Sequence, residues 1–462
     1  MSKHKEPNGG FFASRIADSM VERMARGPVY YGWYMVAVVF TITMVRVGFN
    51  GHFFGIFLKP MSQEFQWTRA MTTGAVTIGT LIAAGLGIAI GRILDRYGPR
   101  WLLVGACVIL GASYVGLSQV SALAMFYVVY AAGRSMAQSA VHNGMLSTLV
   151  SKWFVRRRAM VIAIAIAGAY VGGMTLAPVI QKIITEYGWR TAWVFLGILT
   201  WSVVLIPAAL LLRRSPEDMG LLPDGNGSAG NRRAPPSDPE PSASQEGIGE
   251  EVGWSRSLAS EPVETDEVSL TLREATHTVT FWLLCLVQGV NSVATTGINF
   301  HTVPHFTDVG ISTAVAASTV SVFTMSQVVS VFSVGAVVGR IGAKRMLLGA
   351  LLTLAFGALL ISRADSAASA YLSVVVYGGS IGSSSLLYNV VWADFFGRKH
   401  LGSIRGIAIA FQLVGNASGA LIAAVLYDIN GNYNTAFTIA VAGILTAFIM
   451  LLLARRPELR RA

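Results

Sequence analysis

Gly91-Arg92-Ile93-Leu94-Asp95-Arg96-Tyr97-Gly98-Pro99-Arg100 lies between two long apolar runs. A charged stretch with two glycines and a proline in that position predicts a tight loop at a membrane face, because loop backbone is not tolerated in lipid. The stretch has an echo. Gly335-Ala336-Val337-Val338-Gly339-Arg340-Ile341-Gly342-Ala343-Lys344-Arg345 also separates two apolar runs. One gapless offset pairs Gly91 with Gly335, Arg96 with Arg340, Gly98 with Gly342 and Arg100 with Lys344. The match continues into the next run, where Leu103-Val104-Gly105-Ala106 stands opposite Leu347-Leu348-Gly349-Ala350. Two copies about half a chain apart predict two like halves of a polytopic membrane protein.

The composition agrees. Of the 462 residues 53% are hydrophobic and 13% charged, and mean hydropathy is +0.57. Soluble domains carry about a quarter charged residues. A net charge of +11 would point a soluble protein toward nucleic acid. Here the basic residues are confined to short loops, which marks membrane topology and gives no nucleic-acid partner. Cys107 and Cys285 both lie inside apolar runs, so no disulfide is expected.

Runs of about 20 apolar residues cross a bilayer as helices. Twelve are predicted: 31–57, 70–91, 101–119, 122–149, 159–184, 190–212, 278–303, 314–338, 346–362, 367–392, 403–427 and 434–453. No run alternates like a barrel strand, so the class is an all-α membrane protein. The chain divides into a polar tail without a cleavable leader (1–28), a six-helix bundle (29–212), a linker (213–275), a second six-helix bundle (276–455) and a short tail (456–462). With both termini in the cytoplasm, only Lys59, Arg69, Lys182, Arg190 and Arg363 fall on the opposite side, and two more of the 35 Lys and Arg lie inside spans. That bias sets the orientation. The linker, with Ala234-Pro235-Pro236-Ser237-Asp238-Pro239-Glu240-Pro241 and its Gly/Ser/Glu surroundings, cannot bury a core and is read as a disordered cytoplasmic spacer between rocking halves, with a docking role as the alternative. Leu270 to Thr276 forms a short lead-in to the seventh span.

The first loop, G-x-x-x-D-R-x-G-x-R, resembles the loop between helices two and three of the major facilitator superfamily. The resemblance implies two pseudo-symmetric six-helix bundles and a gating role for Gly91, Asp95, Arg96, Gly98, Arg100 and Arg340. Gly339 replaces the Asp in the second copy, so only the first half makes the helix-terminus ion pair of the family. Other stretches narrow the likeness: Tyr31-Gly32-Trp33-Tyr34, Phe54-Gly55-Ile56-Phe57-Leu58-Lys59-Pro60, Lys152-Trp153-Phe154-Val155-Arg156-Arg157-Arg158-Ala159-Met160, Gly188-Trp189-Arg190, His301-Thr302-Val303-Pro304, Asp308-Val309-Gly310-Ile311-Ser312 and Phe395-Phe396-Gly397-Arg398. Over roughly 30–455 they resemble the branch holding monocarboxylate transporters and oxalate/formate antiporters. That branch carries a substrate-pairing Arg in helix 8, where this chain has Val331. Its animal members place an Asp one turn earlier and a lysine in helix 1, where this chain has Gln327 and His52. The branch's carboxylate anchor is therefore absent.

Charge inside a transmembrane helix is costly and marks function by default. Arg46 and Arg134 are the cations deep within the spans, and no Asp or Glu lies comparably deep; Asp95, Asp308, Asp394 and Asp428 sit at run ends or in loops. Two deep guanidiniums without a carboxylate favour an anionic substrate, held by the planar fork. Arg134, Gln138 and His142 share one helical face, as do Arg46 and Asn50. Gln288, Asn291, Thr295 and Asn299 form a stripe in the seventh span, and Gln412 and Asn416 in the eleventh. Tyr388, Asn389 and Trp392 lie in the tenth. Substrate-binding candidates are thus Arg46, Asn50, Arg134, Gln138, Asn291, Asn299, Tyr388, Asn389, Trp392, Gln412 and Asn416, with Phe49 and Phe53 as further aromatic walls. His52, His142 and His301 are the proton-coupling candidates, titrating near ambient pH. The competing readings are structural: arginines bonded to carbonyls, and polar stripes gluing helices together.

No Walker loop, nucleophile elbow or metal-ligand cluster occurs, so neither an enzyme nor ATP use is expected, and no cofactor. The sequence predicts a monomeric secondary transporter of a small organic anion in a bacterial inner membrane, working by proton symport or anion exchange. A neutral or cationic solute is the alternative cargo, and a non-transporting receptor the alternative class.

Overall fold

The computed structural model describes residues 29–97, 99–141, 146, 149, 150, 152–154, 157–213, 216–222, 224, 270–397 and 401–456. Helix α1 runs Gly32–Phe65 with an interruption; α2 is Arg69–Tyr97, α3 Pro99–Ser118 and α4 Leu123–Ser139. The helical run Arg158–Leu199 breaks at Gly188 into α5 and α6, and α6 continues through a π turn, Thr200–Leu205, into Ile206–Leu211. The second half comprises α7 (Val279–Asp308), α8 (Thr313–Ile341), α9 (Ala343–Ser362), α10 (Ala367–Phe396), α11 (Leu401–Asn430) and α12 (Asn434–Leu453). Among the described residues a helix occupies each of the twelve predicted spans, and the fold is all-helical.

The two motif stretches are shorter loops than expected. Helix α2 runs through Tyr97 and α3 starts at Pro99, so most of the first stretch is helix. Proline suits a first helical position, where its missing N–H leaves nothing unpaired. In the echo, α8 runs to Ile341 and α9 starts at Ala343. Gly342 alone makes the turn, with φ 91° and its N–H bonded to the Val338 carbonyl, a conformation that residues with a Cβ rarely adopt. The lead-in is the short helix Leu272–Thr276, capped reciprocally by Thr271 and Glu274. At the linker's other end Met219 and Leu221 pack on the first bundle, and the Asp224 N–H bonds the Trp153 carbonyl at 3.0 Å. The rest of the linker lies outside the described residues.

Three helix pairs make the largest contacts between the halves: α1 with α7, α2 with α11, and α5 with α8. Exchanging the halves turns α2–α11 into α8–α5 and returns α1–α7 to itself. This is the pseudo-symmetry that the motif echo predicts. Within the first bundle, α5 lies directly on α1. A Cβ on Gly168 or Gly172 would collide with the Phe40 or Met44 carbonyl. Gly168 and Gly172, four residues apart, thus serve close helix packing.

The first span contains the main departure from a plain twelve-helix reading. Helix α1 stops at Val45, makes a 3-10 turn over Arg46–Phe49, goes extended at Asn50 (ψ 146°) and restarts at Gly51. Gly48, Asn50 and Gly51 are poor helix formers. Tyr114 of α3 crowds Gly48, and Phe300 of α7 crowds Gly51. The half-helices are α1a (Gly32–Val45) and α1b (Gly51–Phe65).

Gly172→Ala should lower the melting temperature of the purified protein, since overpacking against backbone costs about 1–3 kcal/mol. Gly339→Ala, with nothing near its added Cβ, should leave it unchanged or raise it. Equal melting of both variants would contradict the α5–α1 contact.

Candidate functional site

The break in α1 exposes backbone groups inside the molecule, and named side chains satisfy them. The Tyr114 hydroxyl donates to the Val45 carbonyl at 3.0 Å. Arg134 of α4 donates from Nη1 to the Phe49 carbonyl. Its Nε donates to the Thr80 hydroxyl at 3.0 Å, and its guanidinium lies 5.3 Å from the Phe300 ring centroid. Arg134 is buried. Its charge is used on the α1 backbone and on α2.

Arg46 stands differently. It ends α1a, where a cation is favoured by the helix dipole, and its Nη1 donates to the Ala137 carbonyl at 3.4 Å. It lines a cavity of about 290 Å³ between the bundles with Asn50, His52, Tyr170, Asn299 and Gln327 among its polar neighbours. Phe53 and Phe323 supply the aromatic wall. His52 is buried, stacked on Phe323 with centroids 3.9 Å apart, and neither ring nitrogen has a hydrogen-bond partner. The Asn299 Oδ1 is likewise buried and unpartnered. The first residues of α1b, Gly51, His52 and Phe53, line the same cavity, and no side chain caps that helix end. None of the described lining residues is Asp or Glu. A guanidinium, an uncapped helix N-terminus and unpaired polar atoms converge on one space. This suits an anion with further polar groups.

The other candidates divide. Gln138 is half-buried on α4 and does not line the cavity. The polar stripes of α7 and α11 face each other: Gln288 donates to Gln412 at 3.1 Å and Thr296 to Asn416 at 2.8 Å. Trp392 donates from Nε1 to the Gln288 side chain at 3.3 Å. These groups hold the second bundle together. Asn291 and Tyr388 are buried away from the cavity, the Asn291 Oδ1 and the Tyr388 hydroxyl without partners. Asn389 is exposed and bonds the Ser385 carbonyl at 2.7 Å. Phe49 stacks on Tyr114 rather than on the cavity. His142 and Gly98 lie outside the described residues, as do the side chains of Asp95 and Arg96; Gly91 falls within α2. Arg100 donates from Nε and Nη2 to the Ala209 carbonyl at 3.0 and 2.6 Å, and Arg340 is exposed at the end of α8.

His301 belongs to a cluster at the end of the molecule away from the Gly91–Arg100 stretch. There Asp308 of α7 pairs with Lys59 at 3.2 Å and Arg69 at 2.6 Å. The Asp428 carboxylate of α11 accepts the backbone N–H groups of Arg69 and Ala70 at 3.0 and 2.9 Å. Tyr427 lies under the Arg69 guanidinium at 4.0 Å. These links join the two bundles. Further in, Thr77 donates to the Ala417 carbonyl at 2.5 Å and Ser321 to the Met174 carbonyl at 2.7 Å.

Sequence reading did not single out Tyr170, Thr324 or Phe323, which gain their place only because α5 and α8 meet across the bundles. It also left Arg69, Asp308 and Asp428 as ordinary loop charges. The signal available was their position at span ends on the side where basic residues are scarce.

The Major Facilitator Superfamily model matches residues 29–307 and 284–462. Monocarboxylate transporter 11 of Homo sapiens is 25% identical over 189 residues, 41% of this chain and 40% of that protein. The oxalate:formate antiporter of Oxalobacter formigenes is 24% identical over 168 residues, 36% of this chain and 38% of the antiporter. The chain thus matches less than half the length of these curated relatives. Among solved structures, a bacterial homologue of the human lysosomal transporter Spinster, in an inward-facing and occupied conformation, superposes with a TM-score of 0.62 at 14% identity, covering 91% of this chain and 95% of that one. With both bundles matched and the twelve-helix fold in place, the chain belongs to the major facilitator superfamily.

Proposed function

We propose that the chain carries a small organic anion, a carboxylate, by alternating access, with the cavity at the α1 break as the binding site. The observation that carries this reading is the cavity lining: Arg46, the uncapped start of α1b, and no carboxylate among the described residues. A substrate carboxylate placed there meets the guanidinium fork and the first N–H groups of α1b together, which transporter helices broken at mid-membrane offer to anionic groups. Phe53 and Phe323 take the apolar part, while Asn50, His52 and Asn299 supply polar contacts. Monocarboxylate transporters and an oxalate:formate antiporter among the relatives support the same cargo class. His52 occupies the position of the branch's helix 1 lysine, and Arg46 stands one to two turns earlier, so charge is displaced along α1 rather than lost.

Lys and Arg distribution supports an orientation with both termini, and the Gly91–Arg100 and Gly335–Arg345 stretches, on the cytoplasmic side, in a bacterial inner membrane on this reading. The ion pairs of Asp308 then lie at the outer face.

Three measurements test this. In proteoliposomes Arg46→Gln should lower apparent affinity for a transported carboxylate by about 10- to 100-fold, the loss of one charged hydrogen bond of about 1.5–3 kcal/mol; equal uptake of the corresponding uncharged amide would refute the anion reading in favour of a neutral solute. Arg134→Gln should instead destabilise the fold by about 1–3 kcal/mol, read as a lower melting temperature, because it strands the Phe49 carbonyl. Uptake that requires internal anion and ignores a proton uncoupler identifies exchange; uptake that collapses with the uncoupler, and in His52→Ala, identifies symport.

A further inference from the structure

Arg69, Tyr433, His301 and the Ala420 carbonyl form one chain of hydrogen bonds across the bundle interface. Arg69 donates from Nη1 to the Tyr433 hydroxyl. The His301 Nδ1 lies 2.9 Å from that hydroxyl, and its Nε2 lies 3.0 Å from the Ala420 carbonyl. A carbonyl only accepts, so Nε2 carries a hydrogen. A guanidinium only donates, so the Tyr433 oxygen accepts from Arg69, and with a neutral ring the Tyr433 hydrogen goes to Nδ1. In that arrangement each of the three links has one hydrogen and His301 is neutral. Burial holds the Tyr433 phenol well above its ordinary value, so it stays a hydroxyl.

We propose that His301 is a proton-binding residue that acts through Tyr433 and Arg69 on the closure of this end: a neutral ring completes the link between the bundles, and a proton on Nδ1 breaks it. The inference rests on the alternating-access reading above. With Nδ1 protonated, His301 and Arg69 both donate to the single Tyr433 oxygen. Two cations then share one fully buried hydroxyl, whose own hydrogen has no acceptor left in the chain. The neighbouring carboxylates are already engaged in bonds of their own. Asp308, at the end of α7, accepts from Lys59 of α1 and Arg69 of α2. Asp428 of α11 accepts from the α2 backbone. His305 of α7 sits against the Ile361 carbonyl at 3.1 Å, and Tyr427 of α11 stacks under Arg69.

The partition between bundles gives the link its direction. His301, Tyr433, Ala420, Asp308 and Asp428 all belong to the second bundle, and Lys59 and Arg69 to the first. Opening carries Arg69 away and lets water reach His301, so the open end takes up a proton that closure must expel. The sign follows: the open state binds more protons, so acid favours opening and rising pH favours closure.

Spin labels on Ser121→Cys and Ala368→Cys, exposed positions on the two bundles at this end, report the separation in lipid nanodiscs without any substrate. The native Cys107 and Cys285 are buried. Between pH 8 and 5 the ratio of long to short distances should rise, by up to about tenfold per pH unit for one coupled proton. His301→Gln keeps an amide donor for Ala420 and an acceptor for Tyr433 but does not titrate, so its ratio should stay flat. Tyr433→Phe, which keeps the ring packing, should be flat as well and shifted toward the long distance. A wild-type ratio independent of pH, or an unchanged response in His301→Gln, overturns the proposal. Failure of the anion reading would show in uptake and leave this distance measurement unaffected.

Discussion

The carbonyl of Phe49 is the point on which the site depends. In the apolar interior a freed backbone group costs several kcal/mol unless it is bonded, and α1 frees several where it breaks. Tyr114 from α3 takes the Val45 carbonyl, and Arg134 from α4 takes that of Phe49. The first bundle therefore holds its own helix open. The site does not wait for substrate to unwind α1: the second half-helix already starts at the cavity wall, uncapped. The two deep arginines have separated tasks. Arg134 uses its charge on scaffold backbone and on Thr80, while Arg46, nearby in sequence to the break, is left on the cavity surface.

The second bundle is built differently. Helix α7 runs unbroken over Val279–Asp308, and its polar groups turn toward α11 and α10 rather than toward the cavity. Only Asn299, near the far end of the stripe, reaches the shared space. The pseudo-symmetry of the contacts between halves thus coexists with an asymmetric site. One half offers charge and a helix terminus. The other offers an aromatic plate, Phe323, and neutral amides from Asn299 and Gln327.

What the sequence revealed follows from what each feature depends on. Spans are local and compositional, so all twelve were legible, and the Gly91–Arg100 echo disclosed the two halves before any packing was known. The break in α1 was hidden because Val-Gly-Phe is as apolar as intact helix; hydropathy does not register where a hydrogen-bond ladder stops. Arg134 and Arg46 looked alike for the same reason, since depth in a span says nothing about which carbonyl is near. Gln412 and Asn416 were assigned to a site from their spacing, which fixes the helix face but not what that face meets. The pairing of Arg69 with Asp308 joins residues far apart in the chain and needed the fold.

The bonds at the two levels of the structure also differ in kind, and this suits a machine that must rock. Within each bundle, helices meet through glycine contacts such as Gly172 on Met44 and through buried apolar side chains. Those contacts are dense and lose much when separated by a fraction of an ångström. Between the bundles at the tied end, apolar contacts such as Phe54 with Phe300 are joined by ion pairs and hydrogen bonds, some on buried residues such as Arg69 and some on partly exposed ones, Asp308 with 22% of its side chain accessible and Lys59 with 29%. Water can replace the exposed links at little net cost; such pairs are worth about 0–1 kcal/mol each. Parting this end therefore costs apolar contact between Phe54 and Phe300 as well as the polar links, and the exposed pairs are the part of that cost that water returns.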